Sequence, residues 1–158
     1  MMGPYLENIR TLIGNQCLQL PGVSAIILDD GGRVLLQHRT DVDFWCLPAG
    51  SLELDETALD ALKREVREET GLEVLHAEPM ALYSGPSQRF RYPHGDEVQC
   101  FAIAFIVRDW NGKPRADGRE GSEVRFWEID SLPVNLVPIH AAILNDYQQY
   151  RGQFMLPE

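Results

Sequence analysis

Apolar residues are spaced along this chain in two ways, and each spacing predicts a different kind of secondary structure. Residues 23–28 form a short apolar run, and Asp-Asp-Gly-Gly at 29–32 indicates a turn before a second run at 33–38. We therefore predict two paired strands there. Another strand is predicted at 73–84, and the almost uninterrupted apolar run at 98–107 is typical of a central strand buried on both faces.

Helical spacing occurs near both ends of the chain. Residues 4–13 begin with a proline and place Leu6, Ile9 and Ile13 on one face. We interpret them as a helix in an N-terminal extension, residues 1–20, that covers the core; dimer contacts or substrate closure are the alternatives. A closing helix is predicted at residues 138–150 from a stripe of Ile139, Ala142, Ile143 and Tyr147.

A third helix is predicted to begin near Thr57, with Asp55 or Thr57 as its cap, and to end at Gly71. Glycine commonly adopts the left-handed conformation at a helix end. At 100° per residue, Glu65, Glu68 and Glu69 fall within one arc of this helix, beside small and apolar residues. Three neighbouring carboxylates repel one another unless a cation compensates them. An all-oxygen ligand set of this kind suits Mg²⁺ or Mn²⁺.

Residues 50–72 resemble the Nudix box, in which a glycine is followed by spaced acidic, basic and aliphatic positions. Every position of that pattern is present here, at Gly50, Glu56, Arg64, Glu65, Val66, Glu68, Glu69, Gly71 and Leu72. A solvated, charged surface helix would explain neither the two glycines nor the carboxylates beside an apolar face.

The lead-in to the box resembles the family's Trp-x-x-Pro-Gly-Gly at Trp45, Pro48 and Gly50, but Ala49 stands where the family has its first glycine. An alanine there implies a negative φ or modest strain.

The resemblance implies an α/β fold, the Nudix-type α/β/α sandwich with a mixed central sheet. It also implies that Arg64 pairs with Glu56 to brace the loop against the helix, and that Glu65 serves in catalysis as well as in metal binding. The implied Mg²⁺ site, which could also hold Mn²⁺, consists of Glu65, Glu68, Glu69 and Gly50.

The family usually draws a further catalytic carboxylate from a loop over the metal site. By spacing we prefer Glu120 as this general base, with Glu123, Glu97 or a glutamate of the box as alternatives. For substrate binding, Arg39 ends a predicted strand where the family often has an arginine near phosphate, although a surface ion pair would look similar.

Residues 85–95 mix turn formers with basic and aromatic side chains, among which we predict substrate contacts by Arg89, Arg91 and Tyr92. A solvated hairpin tip has a similar composition, so this alternative stays open.

Composition limits the remaining possibilities. A chain of 158 residues predicts one domain, residues 1–158, and it contains no apolar run long enough to span a membrane. A net charge of −10 disfavours binding to a long nucleic acid but permits a small nucleotide, because a metal ion can neutralise the carboxylates locally. The absence of a secretory signal predicts a cytoplasmic protein, and the oligomeric state is either monomer or homodimer.

Together these features predict an enzyme, a Mg²⁺-dependent hydrolase that cleaves a diphosphate bond in a nucleoside diphosphate linked to another group. Nucleoside triphosphates, nucleotide sugars and dinucleoside polyphosphates all fit. The alternatives are a sensing module that binds nucleotide metabolites without catalysis, or an isomerase on the same fold.

Overall fold

The computed structural model describes residues 3–157, so residues 1, 2 and 158 of the predicted domain lie outside the described residues. The described elements, in chain order, are α1 (Pro4–Ile13), β1 (Leu18–Ile27), β2 (Val34–Arg39), β3 (Phe44–Cys46), β4 (Ala49–Ser51), α2 (Ala58–Thr70), β5 (Glu73–Tyr83), a short 3₁₀ helix (Pro86–Gln88), β6 (Arg89–Arg91), β7 (Glu97–Asn111), β8 (Gly121–Trp127) and α3 (Pro138–Gln149).

The strands form two sheets. In the larger sheet the order is β4-β1-β7-β5, with β6 also paired to β7, and in the smaller sheet it is β3-β2-β8. The pairing of β1 with β7 is parallel, whereas the other strand pairs are antiparallel, so the larger sheet is mixed as predicted. The predicted central strand, β7, does lie between two long neighbours.

The predicted pairing of the first two strands is wrong. Leu28, the residue after β1, forms one isolated bridge with Val34 of β2, and the two strands belong to different sheets. The turn between them is present as predicted, and Oδ1 of Asp29 holds it by accepting the backbone N–H groups of Gly31 at 3.0 Å and Arg33 at 2.9 Å. Turn chemistry fixes the local reversal of the chain, but it does not determine which strand becomes the hydrogen-bonded neighbour.

Alternate residues of the long strands enter two separate apolar cores. Ile26 and Ile106 belong to the core that contains residues of α3, whereas Ile27 and Val107 belong to the core that contains residues of α2. Successive side chains of a strand point to opposite faces, so a strand covered on both faces needs an uninterrupted apolar run. The two helices therefore enclose the strands as the predicted α/β/α sandwich.

Helix α2 has the predicted ends. Thr57 caps the first turn, and its Oγ1 accepts the N–H of Asp60 at 3.2 Å while the Asp60 carboxylate accepts the N–H of Thr57 at 3.3 Å. Gly71 ends the helix with φ 72°, a left-handed angle that glycine adopts without a Cβ clash. Leu62 and Val66 are buried against the sheet, which fixes the direction in which the acidic face points.

Helix α3 packs differently from the predicted stripe. Ile143 and Leu144 are buried, Ile139 and Tyr147 pack beside them, and Ala142 is exposed. The helix is therefore rotated so that the larger Leu144, not Ala142, faces the core. Within residues 3–157, no helix has the length and apolarity needed to cross a membrane.

Candidate active site

A cavity of about 320 Å³ lies over one face of the parallel strands β1 and β7. Its floor is built from alternate residues of each strand, which share a face because side chains alternate along a strand. The floor residues pair across the strands as Leu18 with Val98, Leu20 with Cys100, and Gly22 with Ala102. The side chains become smaller toward the last pair, where the cavity reaches β4 and the end of α2 that carries the box carboxylates.

Gly50 is required there by the close approach of a carboxylate. A Cβ built on Gly50 would lie 2.0 Å from Cδ of Glu65, although Gly50 itself has no positive φ. Gly50 pairs with Val23 of β1, so the missing side chain lets the helix carboxylate lie directly against the sheet. The two predicted metal-site residues Gly50 and Glu65 are therefore immediate neighbours.

Glu69 lies deeper than Glu65 and has only 4% of its surface exposed. Its Oε2 accepts the backbone N–H of Ala49 at 2.9 Å, and the side chain of Gln37 donates a second hydrogen bond. Burial raises the pKa of Glu69 to about 8, and the nearby negative charge of Glu65 also raises it. The two hydrogen bonds act in the opposite direction and lower the pKa. Ala49 has no positive φ, so the family's missing glycine causes no left-handed strain here.

Arg64 makes the predicted pair with Glu56 and also contacts the metal face. Its Nε and Nη2 donate to the two oxygens of Glu56 at 2.7 and 2.9 Å, and Nη2 also donates to the backbone oxygen of Ser51 at 2.9 Å. Its Nη1 donates to Glu65 at 2.7 Å. One guanidinium thus ties the loop before α2 to β4 and to the carboxylate at the cavity wall.

The carboxylates of α2 fit a divalent cation by their chemistry. Burial raises the pKa of both Glu65 and Glu69, and two buried carboxylates stay ionised side by side only if positive charge compensates them. Arg64 compensates Glu65 in part, and a hard cation suits the remaining oxygens. Glu68 is more exposed, with 56% of its side chain accessible, and lies 3.5 Å from Arg64. Within residues 3–157, no three His, Cys, Asp or Glu side chains already converge into a metal cluster.

Arg39 and Tyr92 both line the cavity, as expected of substrate-binding residues. Arg39 donates to both carboxylate oxygens of Asp41, from Nε at 2.9 Å and from Nη2 at 2.6 Å. Tyr92 packs edge-on against Phe90, with ring centroids 4.9 Å apart, and stacks on His94 at 5.3 Å. This side of the cavity therefore combines a guanidinium with aromatic surface.

Arg89 and Arg91 point away from the cavity. Their side chains are 58% and 71% exposed, and they contact the neighbouring strand β7, Arg89 through Gln99 at 3.0 Å and Arg91 through Glu97 at 2.8 Å. Phe90, which lies between them in β6, faces the cavity instead. Of the three residues predicted from this segment, only Tyr92 is brought to the cavity.

The three candidate loop carboxylates are also separated by the structure. Glu120 lines the cavity, on a loop that Asp117 holds by accepting backbone N–H groups, including that of Gly121 at 2.9 Å. Glu123 is exposed and accepts a hydrogen bond from Nε of Arg125 at 2.9 Å, and Glu97 is paired with an arginine of β6. Glu120 is therefore the candidate base that the fold brings to the cavity.

Helix α1 reaches the far end of the cavity through Arg10. This side chain is only 10% exposed and donates from Nη2 to the backbone oxygen of Glu97 at 2.7 Å, beside Asp96. The N-terminal helix therefore contributes a wall residue to the cavity.

Gln37 and His140 also line the cavity and were not predicted from the sequence. Gln37 is 1% exposed in an apolar strand, where its amide reaches Glu69 and its Oε1 has no partner among residues 3–157. A glutamine inside an apolar strand is a detectable signal, because buried polar groups need a reason. His140 lies in α3 and accepts the N–H of Leu47 on its Nδ1 at 3.1 Å. A single histidine in a helix carries no comparable signal.

The fold and sequence match known proteins of one family. The family model described as NUDIX domain matches residues 18–147. A MutT NUDIX hydrolase from Burkholderia pseudomallei shares 23% sequence identity and superposes with a TM-score of 0.69, covering 81% of this chain and 97% of that one. At this identity the superposition shows a common fold.

Two relatives share more of the sequence. An ADP-ribose pyrophosphatase of Methanocaldococcus jannaschii is 31% identical over 129 residues, covering 80% of this chain and 72% of that protein. An RNA pyrophosphohydrolase of Pseudomonas putida strain GB-1 is 35% identical over 116 residues, covering 62% of this chain and 72% of that protein. This chain therefore belongs to the NUDIX domain family of hydrolases, as residues 50–72 predicted.

Proposed function

We propose that this Nudix hydrolase uses Mg²⁺ to cleave a diphosphate bond in a nucleoside diphosphate linked to another group. Hydrolysis of a phosphoric anhydride is the reaction class of the family, and the two relatives are named a pyrophosphatase and a pyrophosphohydrolase. These names favour an enzyme over a sensing module or an isomerase. Family members generally use divalent metal ions.

One observation carries the proposal. The carboxylate of Glu65 lines a cavity that also contains Arg39 and Tyr92, and Glu69 is hydrogen-bonded to Ala49 and Gln37, which line the same cavity. A cation-binding face, a phosphate-binding guanidinium and aromatic surface for a base thus border one space. That is the combination that a nucleoside diphosphate compound requires.

Different residues of the chain would bind the cation, bind the phosphates and accept a proton. When bound, a divalent cation supplies positive charge for the diphosphate oxygens in an in-line attack by water. Glu65, Glu68 and Glu69 would hold it, with the Gly50 backbone beside them, and Arg64 would keep Glu65 in position through its contact at 2.7 Å.

Arg39 would bind the phosphates of the substrate. Its Nε and one Nη2 hydrogen go to Asp41, which leaves the other N–H groups of the guanidinium to donate to phosphate oxygens. The pair with Asp41 also holds the planar group in one orientation, so less side-chain entropy is lost on binding.

Glu120 would accept the proton of the attacking water. If so, Glu120→Gln should lower kcat by roughly 10²-fold with little change in KM, because proton transfer is lost and phosphate binding is not. Glu123→Gln is the matched control, since it removes an exposed carboxylate near the same loop and should leave kcat unchanged. A large loss in Glu123→Gln alone would reverse the assignment, and two silent variants would return the base to the α2 helix.

The reaction itself is tested by a substrate panel with purified protein. We expect Mg²⁺-dependent release of a nucleoside monophosphate from at least one nucleoside triphosphate, nucleotide sugar or dinucleoside polyphosphate, and its loss on chelation. A short 5′-triphosphorylated RNA belongs in the panel because of the name of one relative, although the net charge of −10 predicts poor binding of a long chain. No turnover of any diphosphate would contradict the proposal.

A further inference from the structure

The ring of His140 is held at the cavity by a single backbone hydrogen bond. His140 lies in the first turn of α3, and its Nδ1 accepts the N–H of Leu47 at 3.1 Å. A backbone N–H can only donate, so Nδ1 carries no proton. In the neutral ring the proton is therefore on Nε2, and the tautomer is fixed by the fold.

The Nε2–H group is directed at accessible space. Within residues 3–157 this group has no hydrogen-bond partner. The buried side-chain atoms that lack a partner in those residues are Nε of Arg10, Oε1 of Gln37 and Nε1 of Trp127. Nε2 of His140 is not among them, so it is accessible. His140 lines the cavity, so the cavity is the space that this donor adjoins.

His140 stays uncharged under ordinary conditions. Burial, together with the positive charge of Arg39, lowers the pKa of His140 to about 4. The ring remains partly accessible because it lines a cavity, yet Val137, Ile139 and Ile143 beside it are apolar. A neutral donor among apolar side chains suits an uncharged part of a ligand better than a phosphate, for which Arg39 is available in the same cavity.

We propose that His140 is a specificity-determining residue whose Nε2–H donates to a keto oxygen on the nucleobase of the substrate. The proposal rests on the proposed function. Because Nδ1 is occupied by Leu47, the ring cannot reverse its polarity to accept a hydrogen bond from an amino group. Phe90 and Tyr92 offer aromatic surface to the base in the same cavity. Keto bases are therefore favoured over amino bases at this position.

Two amide substitutions separate the donor role from the structural role. In His140→Asn the side-chain oxygen can take the position of Nδ1 and keep the bond to Leu47, but nothing reaches the position of Nε2. In His140→Gln the longer amide can place an N–H near the Nε2 position. A purely structural role predicts that Asn is the milder change, whereas the proposed role predicts that Gln is.

The kinetic test compares inosine with adenosine and uridine with cytidine, in the diphosphate linkage that the wild type cleaves best. In each pair an amino group replaces a keto group, and the adjacent ring nitrogen changes from a donor to an acceptor. We expect the wild type to prefer the keto member by about tenfold in kcat/KM, the value of one lost hydrogen bond. His140→Asn should raise KM for the keto member by about tenfold and leave kcat nearly unchanged, so that the preference for the keto member is lost. His140→Gln should restore most of that preference. Absence of a keto preference in the wild type, or equal KM values in wild type and His140→Asn, would overturn the proposal.

A second measurement needs no turnover. Long-range ¹H–¹⁵N spectra of the metal-free protein at neutral pH should show His140 as the Nε2–H tautomer, and inosine monophosphate should shift its Nε2 resonance. An Nδ1–H tautomer, a charged ring or an unmoved resonance would contradict the role of His140. Failure of the wild type to cleave any diphosphate would instead contradict the proposed function, so the two failures can be told apart.

Discussion

The two walls of the cavity were predicted with different success, and the contrast shows what sequence spacing can specify. On the wall formed by β4 and α2, Gly50, Glu65 and Glu69 lie where the box predicts. On the wall formed by β6 and the following turn, Arg89 and Arg91 point outward. One rigid helix fixes the directions of its side chains by their spacing, whereas in a strand a shift of one residue reverses every direction.

The largest effect is expected on the wall formed by β4 and α2, where Gly50 lies directly against the carboxylate of Glu65. Gly50→Ala would place a methyl carbon 2.0 Å from Cδ of Glu65, so the carboxylate must leave its position or the strand must shift. We expect kcat/KM to fall by more than about 10²-fold and the free energy of unfolding to fall by about 1–3 kcal/mol.

Gly31→Ala is the matched control for this change. A Cβ there would meet Oδ1 of Asp29 at 3.4 Å, an ordinary contact, and the residue has no positive φ. Activity and unfolding by urea should both stay near the wild-type values. Normal activity in Gly50→Ala would show that the position of Glu65 is not critical.

The next effect concerns Glu69 and its protonation. Glu69→Gln should lower turnover by roughly 10²-fold at saturating Mg²⁺ while leaving the fold intact. Turnover close to the wild-type value would mean that Glu69 is not a metal ligand.

The same variant should change how stability depends on pH when metal is chelated. The pKa of Glu69 is raised from 4.5 to about 8, so between these values the folded protein keeps a proton that the unfolded chain releases. The free energy of unfolding therefore falls as pH rises through this window. Urea unfolding at pH 5 and pH 8 should show a shallower fall in Glu69→Gln; some fall should remain because the pKa of Glu65 is also raised. An unchanged slope would contradict the burial argument.

A smaller effect is expected from the brace within the first wall. Arg64→Ala and Glu56→Ala should each lower kcat/KM by about tenfold, because either change releases the same two-point contact. The double variant should lose clearly less than the product of the two single losses, since each single change already removes the pair. Strictly additive losses in this double-mutant cycle would show that the two residues act independently.

The smallest effect is expected on the second wall. Alanine at both Arg89 and Arg91 should change KM by less than about twofold, because both side chains are mostly exposed and pair with residues of β7. Arg39→Ala should raise KM by about tenfold or more, since Arg39 lines the cavity. If the double variant raised KM as strongly as Arg39→Ala, β6 and the turn that follows it would have to move toward bound substrate.

The sequence was sufficient for features that depend on one element or on the apolar pattern. The ends of α2 follow from Thr57 and Gly71. The burial of residues 104–107 of β7 follows from the apolar run, but Phe101 in the same run is 44% exposed, so the run does not give burial along its whole length. The pairing of β2 with β8 could not be predicted, because it joins residues as far apart in the sequence as Val34 and Trp127. The inward faces of β6 and α3 were likewise unpredictable, since each depends on the element packed against it.

The candidate site divides in the same way. The Arg64–Glu56 pair connects two positions of one local motif, and it was predicted from the resemblance of that motif to the Nudix box. His140 enters the cavity only because α3 packs beside the strand that precedes Leu47, a contact between distant parts of the chain. Gln37 was detectable as a polar residue in an apolar strand. Its contact with Glu69 was not, because that contact joins β2 to α2, two elements whose packing the sequence does not show.

The parallel pairing of β1 with β7 also dictates an order of events when the chain folds. It joins Leu18 to Val98 and Ile27 to Val107, so the whole box and five intervening strands lie in the loop that this pairing closes. Contacts of such high sequence separation form slowly, because the entropy of closing the loop is lost before the contacts stabilise it. A nascent chain that has emerged only as far as residue 96 thus carries every glutamate of the box but lacks the β7 half of the cavity floor.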